Sequence, residues 1–361
     1  MVIKNYFLCL NFIIFLLLSC DVFNIDGDEG MDNFVRVDIV ETYVISLETN
    51  KVKKLVDGNN VTFIQNSNSF VYSDSNAINK TAINNTNIEV IAEIHELNAN
   101  DYFELTISPD GDNISFPERV DGTYDLFLVN LSTKNVVNLT NSNDAWEENP
   151  VFSNNGSKLL FKEITYKSIN DHTKDSEGIS IIDIDSNNHK KILHNTLPSF
   201  FPIFLSDDNF IITFGYFENQ EIRLYKINLA NYNYEFFSLG YGRIFSSPAM
   251  TQDFKLFYSL EENNIYTFDL STNEIKLVYS GFIGRDYSFS YDFSQVVFIK
   301  DGIKVVNFET GQTTELFSDS EIKKPDFPSI KNWDANISCP QFSPDGNNVI
   351  FVKRMHVEYF K

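Results

Sequence analysis

One short landmark recurs along most of the chain, and that repeat limits the fold more than any other feature. Ser343-Pro344-Asp345-Gly346 leads to Val349 and Phe351, and Ser108-Pro109-Asp110-Gly111 leads to Ile114 and Phe116. Ser153-Asn154-Asn155-Gly156 precedes Leu159 and Phe161, Ser206 precedes Ile212 and Phe214, and Ser290 precedes Val296 and Phe298. In these five copies the apolar pair falls six and eight residues after the Ser. Shorter copies start at Gln65, before Phe70 and Tyr72, and at Thr251, before Leu256 and Tyr258. Pro presets φ, Asp and Asn bond back to the backbone, and Gly takes the left-handed position of a turn. Apolar residues two apart then share one face of a strand and face a packed layer.

A second landmark alternates with the first. Residues 126–131 (Leu-Phe-Leu-Val-Asn-Leu) run into the polar turn 132–135 and then 136–139 (Val-Val-Asn-Leu). Residues 265–278 repeat this arrangement, and 179–184, 222–229 and 303–312 fit it. Each repeat therefore holds two hairpins. First landmarks stand 39–53 residues apart, the period of a four-stranded propeller blade. Residues 43–56 read as a second hairpin without a first, residues 339–352 as a first hairpin with little after it, and residues 88–97 as a degenerate second hairpin. The two incomplete ends complement each other. The expectation is an all-β, seven-bladed β-propeller over residues 34–361, with six or eight blades as alternatives. Its N- and C-terminal segments share one blade and so leave no open sheet edge there.

Charge excludes one class of partner. The chain carries 28 Lys+Arg against 50 Asp+Glu, a net charge of -22, the wrong sign for a nucleic-acid binder. Aromatic residues reach 15%, which favours strands.

The N-terminus reads as an address. Lys4 precedes an apolar run, residues 6–18, that is too short to span a bilayer comfortably. It ends in Leu17-Leu18-Ser19-Cys20, which resembles the bacterial lipoprotein signal and makes Cys20 the expected lipidation site. Residues 1–19 are then a signal peptide and residues 20–33 a flexible acidic tether. Of the 3 Cys, only Cys339 remains for the folded part, so no internal disulfide is expected; it reads as a small buried residue before a strand.

Phe342-Ser-Pro-Asp-Gly-Asn-Asn-Val-Ile-Phe351, and the longer stretch 139–161 with its Trp, Pro and aromatic ahead of the turn, resemble the repeat of TolB-like, WD40-like β-propellers. The resemblance covers roughly residues 60–355 and implies fold more than activity. Propellers of this type also precede the hydrolase domain of prolyl-oligopeptidase-like peptidases, but no Gly-x-Ser-x-Gly elbow occurs here. Some polysaccharide lyases are propellers with a His-bound metal; the 5 His here are scattered, and no HExxH or Cys-His cluster appears. His189 and His194 read as solvated residues flanking a hairpin. Asp183, Asp185 and Asn187 read as a turn rather than a calcium loop. No metal or cofactor is expected.

The candidate partner-binding residues come from position in the repeat. In a propeller the loop entering the innermost strand lies at the channel face. Two such loops hold both Trp residues beside polar groups: Asp144, Trp146, Glu147, Glu148 and Asn149, and Trp333, Asp334 and Asn336. A Trp near carboxylates and amides suits a peptide, a sugar or a cationic surface; packing between blades is the competing role. Residues 165–177 read as a polar insertion that adds a surface loop. The expected function is a lipid-anchored binding or scaffold protein of the bacterial cell envelope, periplasmic or surface-exposed, without catalysis. Its expected partners are the membrane through the anchor and an envelope protein or glycan. The alternatives are a glycan- or peptide-acting enzyme using paired carboxylates and a surface lipoprotein that binds host molecules.

Overall fold

The computed structural model describes residues 34–360 except 66, 75, 95–104, 169–172, 187, 195–198, 217–220, 245–247, 252, 262, 282, 285 and 327–329. The signal peptide, Cys20 and the tether therefore lie outside the described residues, as do His95 and His172. Strands dominate, with a short 3-10 turn at Asp319–Glu321. Among the described residues no helix is long and apolar enough to cross a membrane.

The strands run in chain order as follows. The first are β1 (Phe34–Ser46), β2 (Val52–Asp57), β3 (Asn59–Phe63), β4 (Ser69–Ser73), β5 (Ala77–Ala82), β6 (Asn85–Glu93) and β7 (Thr106–Ile107). Next come β8 (Asn113–Val120), β9 (Thr123–Asn130), β10 (Val136–Asn138), β11 (Ala145–Phe152), β12 (Lys158–Ser168), β13 (Thr173–Asp183) and β14 (Asn188–His194). These are followed by β15 (Ser199–Phe204), β16 (Phe210–Tyr216), β17 (Glu221–Asn228), β18 (Tyr234–Tyr241), β19 (Ala249–Met250), β20 (Lys255–Leu260) and β21 (Asn264–Asp269). The last are β22 (Glu274–Ser280), β23 (Tyr287–Phe289), β24 (Gln295–Ile299), β25 (Gly302–Asn307), β26 (Thr313–Ser318), β27 (Ile330–Phe342) and β28 (Asn348–Phe360).

The described residues fall into two compact units, one within Phe103–Phe282 and one made of the segments before Tyr102 and after Ile283. In the first unit, β15–β18 and β19–β22 are antiparallel four-stranded sheets, and β7–β14 form one eight-stranded sheet. That sheet divides into two four-stranded meanders joined by a single parallel bridge, Trp146 to Tyr124. Successive sheets pack face to face. Leu126 and Leu139 meet Phe152, Leu159, Phe161 and Ile182. Ile179 and Ile181 meet Ile211, Tyr225 and Ile227; Phe214 and Leu224 meet Leu256 and Tyr258.

In the second unit, β3–β6 and β23–β26 are four-stranded sheets, and a third has the order β2-β1-β28-β27. The two ends of the chain thus share one sheet. β1 pairs antiparallel with β28 from Phe34↔Phe360 to Ser46↔Asn348, with Ile45 opposite Val349 and Tyr43 opposite Phe351. The shared sheet is packed on both faces: Ile45, Val349 and Phe351 against Val297, Ile303 and Phe317, and Val44 and Ile350 against Phe70 and Tyr72.

The recurring apolar pair is the core of every repeat. Phe70, Ile114, Phe116, Leu159, Phe161, Ile212, Phe214, Leu256, Tyr258, Val296 and Val349 are fully buried, and Tyr72, Phe298 and Phe351 nearly so. Burial of one such side chain is worth roughly 1.5–3 kcal/mol. The turn Ser is buried as well. Its hydroxyl holds the turn Asp and receives a backbone N–H from the entering strand, as in Ser343 with Asp345 at 2.6 Å and with the Asn348 amide at 3.0 Å. Hydrogen bonding corrects two copies by one residue. Asp208 N bonds to Leu205 O, and Ser67 N to Ile64 O. The structural turns therefore start at Leu205 and Ile64, where an apolar residue takes the place of the Ser.

Three further expectations change. The degenerate second hairpin is β5–β6, ending at Glu93. The polar insertion 165–177 extends β12 and β13, because Ile164↔Glu177 and Thr165↔Ser176 continue the ladder. Cys339 lies inside β27, at a bulge with φ +53°. Asn60, Asn149 and Phe201 occupy the same bulge of β3, β11 and β15, all at positive φ.

Candidate functional site

The residues expected on the first Trp loop lie mostly on β11. Asp144 is exposed in the bend before it, and Trp146 to Asn149 are strand residues. Alternation sends Ala145 and Glu147 inward, and leaves Trp146 and Glu148 half-buried. Asn149 bends the strand, since its bulge shifts the register between Glu148 and Val151. Asn tolerates the left-handed conformation, and Pro150 falls within the bulge, with pairing resumed at Val151↔Leu160.

Trp146 stands between two tyrosines. Its ring meets Tyr124 edge-on at 5.4 Å and Tyr166 at 5.0 Å. Tyr124 belongs to β9, so Trp146 fastens one four-stranded meander to the next. On the same face Glu148 pairs with Lys162 at 2.8 Å and Lys162 with Glu177 at 3.2 Å. Lys174 also pairs with Glu177. The face is therefore an aromatic group beside a balanced set of ion pairs.

The opposite face carries a sealed polar cluster. Glu147 is 1% exposed. Its Oε2 lies 3.2 Å from Thr140 Oγ1 and 3.2 Å from Ser142 Oγ. Asp125, fully buried, accepts from Ser142 N at 3.0 Å and Asn138 Nδ2 at 2.6 Å. Glu163 accepts from Ser180 Oγ at 2.6 Å and lies 2.9 Å from His189 Nε2. Burial, joined by the charges of Asp125 and Glu163, pushes the Glu147 carboxyl up to about 8, against the hydrogen bonds from Ser142 and Thr140. Donor counting agrees. Ser142 Oγ has one proton and three oxygens in reach: Glu147 Oε2, Asp125 Oδ1 at 3.3 Å and Ala145 O at 3.2 Å. A proton on Glu147 makes it a donor to Ser142 and relieves the conflict.

Sequence reasoning missed Asp125, Glu163, Thr140 and Ser142. The available signal was a carboxylate on an inward position of an apolar strand, as at Glu163, two residues past Phe161. His189, expected to be solvated, is exposed and also reaches Glu163, with its ring 5.2 Å from that of Phe161. Asp183 caps its turn through the Ser186 amide at 3.1 Å and binds Lys158 at 2.7 Å. Lys158 and Ser186 hold its carboxyl at about 2. Among the described residues no three His, Cys, Asp or Glu are arranged to hold a metal ion.

Trp333, Asp334 and Asn336 belong to the other unit and lie on β27, not on a loop. The strand is long because it pairs with β28 from Ile330↔Tyr359 to Phe342↔Val349. Alternation separates the three: Trp333 is half-buried on one face, and Asp334 and Asn336 are exposed on the other. Asp334 is opposite His356, whose Nδ1 bonds Asp38 of β1. That bond raises the His356 pKa above the usual histidine value, and the Asp334 charge adds to it.

No family model matches the chain, and no curated protein matches it. Several solved structures are similar. An oligogalacturonate lyase in complex with manganese is 16% identical with a TM-score of 0.61, covering 92% of this chain and 99% of that one. The oligogalacturonate lyase of Vibrio parahaemolyticus is 14% identical with a TM-score of 0.61, covering 90% and 97%. The Swd1 β-propeller domain of Myceliophteria thermophila is 10% identical with a TM-score of 0.53, covering 81% and 94%. These likenesses show the fold: the chain is a β-propeller.

Proposed function

We propose that the chain is a binding or scaffold protein of the bacterial cell envelope, built as a seven-bladed propeller and anchored through a lipid on Cys20. The face holding Trp146, Tyr166, Glu148 and Lys162 recognises an envelope protein or a glycan. One observation carries this reading. The half-buried Trp146 is held between two tyrosines beside ion-paired side chains, whereas the nearest carboxylate with a perturbed pKa, Glu147, is sealed from solvent. Rigid aromatic groups rimmed by charge suit recognition. Partners co-purified from native membranes with the wild type, and lost with Lys162→Glu or Glu148→Lys, are the expected result. Identical partners with both variants would overturn the assignment of this face. Acylation predicts that Cys20→Ala moves the protein from the membrane to the soluble fraction, and protease treatment of intact cells separates a surface from a periplasmic location.

A second reading is a glycan-acting enzyme using the reachable carboxylate of the same face, Glu148, since two of the similar structures are oligogalacturonate lyases. It predicts eliminative cleavage of oligogalacturonate, followed by ultraviolet absorbance of the unsaturated product, and its loss in Glu148→Gln. A wild-type protein inert on this substrate removes that reading.

A further inference from the structure

The outermost strand β18 is set apart from the other outer strands by its exposed aromatic side chains. It is the last strand in the order β15-β16-β17-β18, bonded to β17 alone among the described residues. The backbone groups on its far side form an open edge, and proteins usually guard such edges with Lys or Pro. β2 carries exposed Lys53 and Lys54, and β22 carries exposed Lys276. β18 has neither residue, and nor do β6, β10 and β26, but those strands expose no aromatic ring among the described residues. β18 presents Tyr234, Phe236 and Tyr241 at 54%, 49% and 70% exposure. Its one charged side chain, Glu235, is paired with Lys226 at 3.0 Å.

We propose that β18 accepts an extended, basic segment of a partner protein as an added strand. This goes beyond the function argued above and uses a different strand. The rings already hold a cation within the molecule: the Arg223 guanidinium sits 4.4 Å from the Phe236 centroid. Tyr225 supports the group from below, 5.8 Å from Tyr234 and 6.1 Å from Phe236. Tyr234 and Phe236 lie two apart, so alternate side chains of an added strand meet them at cross-strand spacing, about 5 Å. Charge selects the occupant. A chain with a net charge of -22 attracts a Lys- or Arg-bearing segment and repels an acidic one or a second copy of itself. Backbone pairing supplies affinity in such strand addition, and the side chains set preference.

The test uses the whole protein and a fluorescent peptide of about ten residues alternating Lys and Val, with a Glu-Val peptide as the counterpart. Anisotropy at low ionic strength is expected to show binding of the basic peptide and at least about tenfold weaker binding of the acidic one. Hydrogen exchange is expected to slow at the amides of residues 234–241. Phe236→Lys is expected to weaken binding about tenfold; Tyr241→Lys serves in its place should Phe236→Lys fail to fold. The proposal is overturned by absent binding, by equal binding of the acidic peptide, or by protection confined to other strands. It is also overturned by a concentration-dependent dimer that Phe236→Lys abolishes, since the occupant would then be a second copy.

Discussion

Glu147 and Asp125 contend for one hydroxyl: Ser142 Oγ stands 3.2 Å from Glu147 Oε2 and 3.3 Å from Asp125 Oδ1. Asp125 also accepts from the Ser142 amide and Asn138, and Glu147 from Thr140, but the Ser142 hydroxyl proton can serve only one of the two. Burial and the neighbouring charges favour a proton on Glu147.

That proton makes stability depend on pH. The folded pKa of Glu147, about 8, lies above the ordinary value of 4.5. The folded state therefore holds the proton longer than the unfolded chain, and stability falls as pH rises between those two values. The cost is on the order of 4 kcal/mol by pH 8. Glu147→Gln keeps a donor for Ser142 without the charge. Its melting temperature is expected to exceed the wild type's by at least about 3 °C at pH 8 and by under about 1 °C at pH 5. An equal difference at both pH values would contradict the assignment.

The opposite sign applies at Glu41, in the sheet shared by the chain ends. Its carboxylate accepts from Lys353 at 2.7 Å, Lys54 at 2.7 Å and the Tyr43 hydroxyl at 2.8 Å. Burial pushes the carboxyl up, but these three bonds outweigh it and bring the pKa below the ordinary value. The stability they supply is present above the unfolded pKa and is lost as pH falls through the lower folded one. Glu41→Gln leaves the Lys353 ammonium poorly compensated and is expected to cost about 2 kcal/mol at pH 7. Denaturant titrations at pH 7 and pH 3 check this: the gap between variant and wild type narrows in acid.

Trp146 acts as a fastener whatever it binds. Trp146→Ala removes the ring between Tyr124 and Tyr166 and is expected to cost about 2–3 kcal/mol, while Trp146→Phe costs about 1 kcal/mol. Calorimetry measures both. A cost under about 0.5 kcal/mol for the alanine variant would place the ring in a purely solvent-facing role.

The repeat was readable because hairpins obey local rules. Ser343, Asp345, Val349 and Phe351 declare a turn and an inward face without knowledge of neighbours, and the complementarity of residues 43–56 and 339–352 followed from counting hairpins. What stayed hidden depends on register. A bulge at a non-Gly residue, such as Phe201 or Cys339, has no composition cue, yet it shifts which side chains face inward. Glu147 and Glu148 look alike in sequence; pairing places one in a sealed cluster and the other on an ion-paired face. The loops drawn around Trp146 and Trp333 are strands because β12 and β28 extend far enough to pair with them.

The sharing of one sheet by the two ends of the chain is the claim on which the fold rests. Ser46 and Asn348 are directly paired and lie at its border. A Ser46→Cys, Asn348→Cys protein, oxidised mildly, is expected to form an intramolecular disulfide between these positions, found by peptide mapping, with a raised melting temperature. Free thiols, or cross-links only between molecules, would contradict the shared sheet.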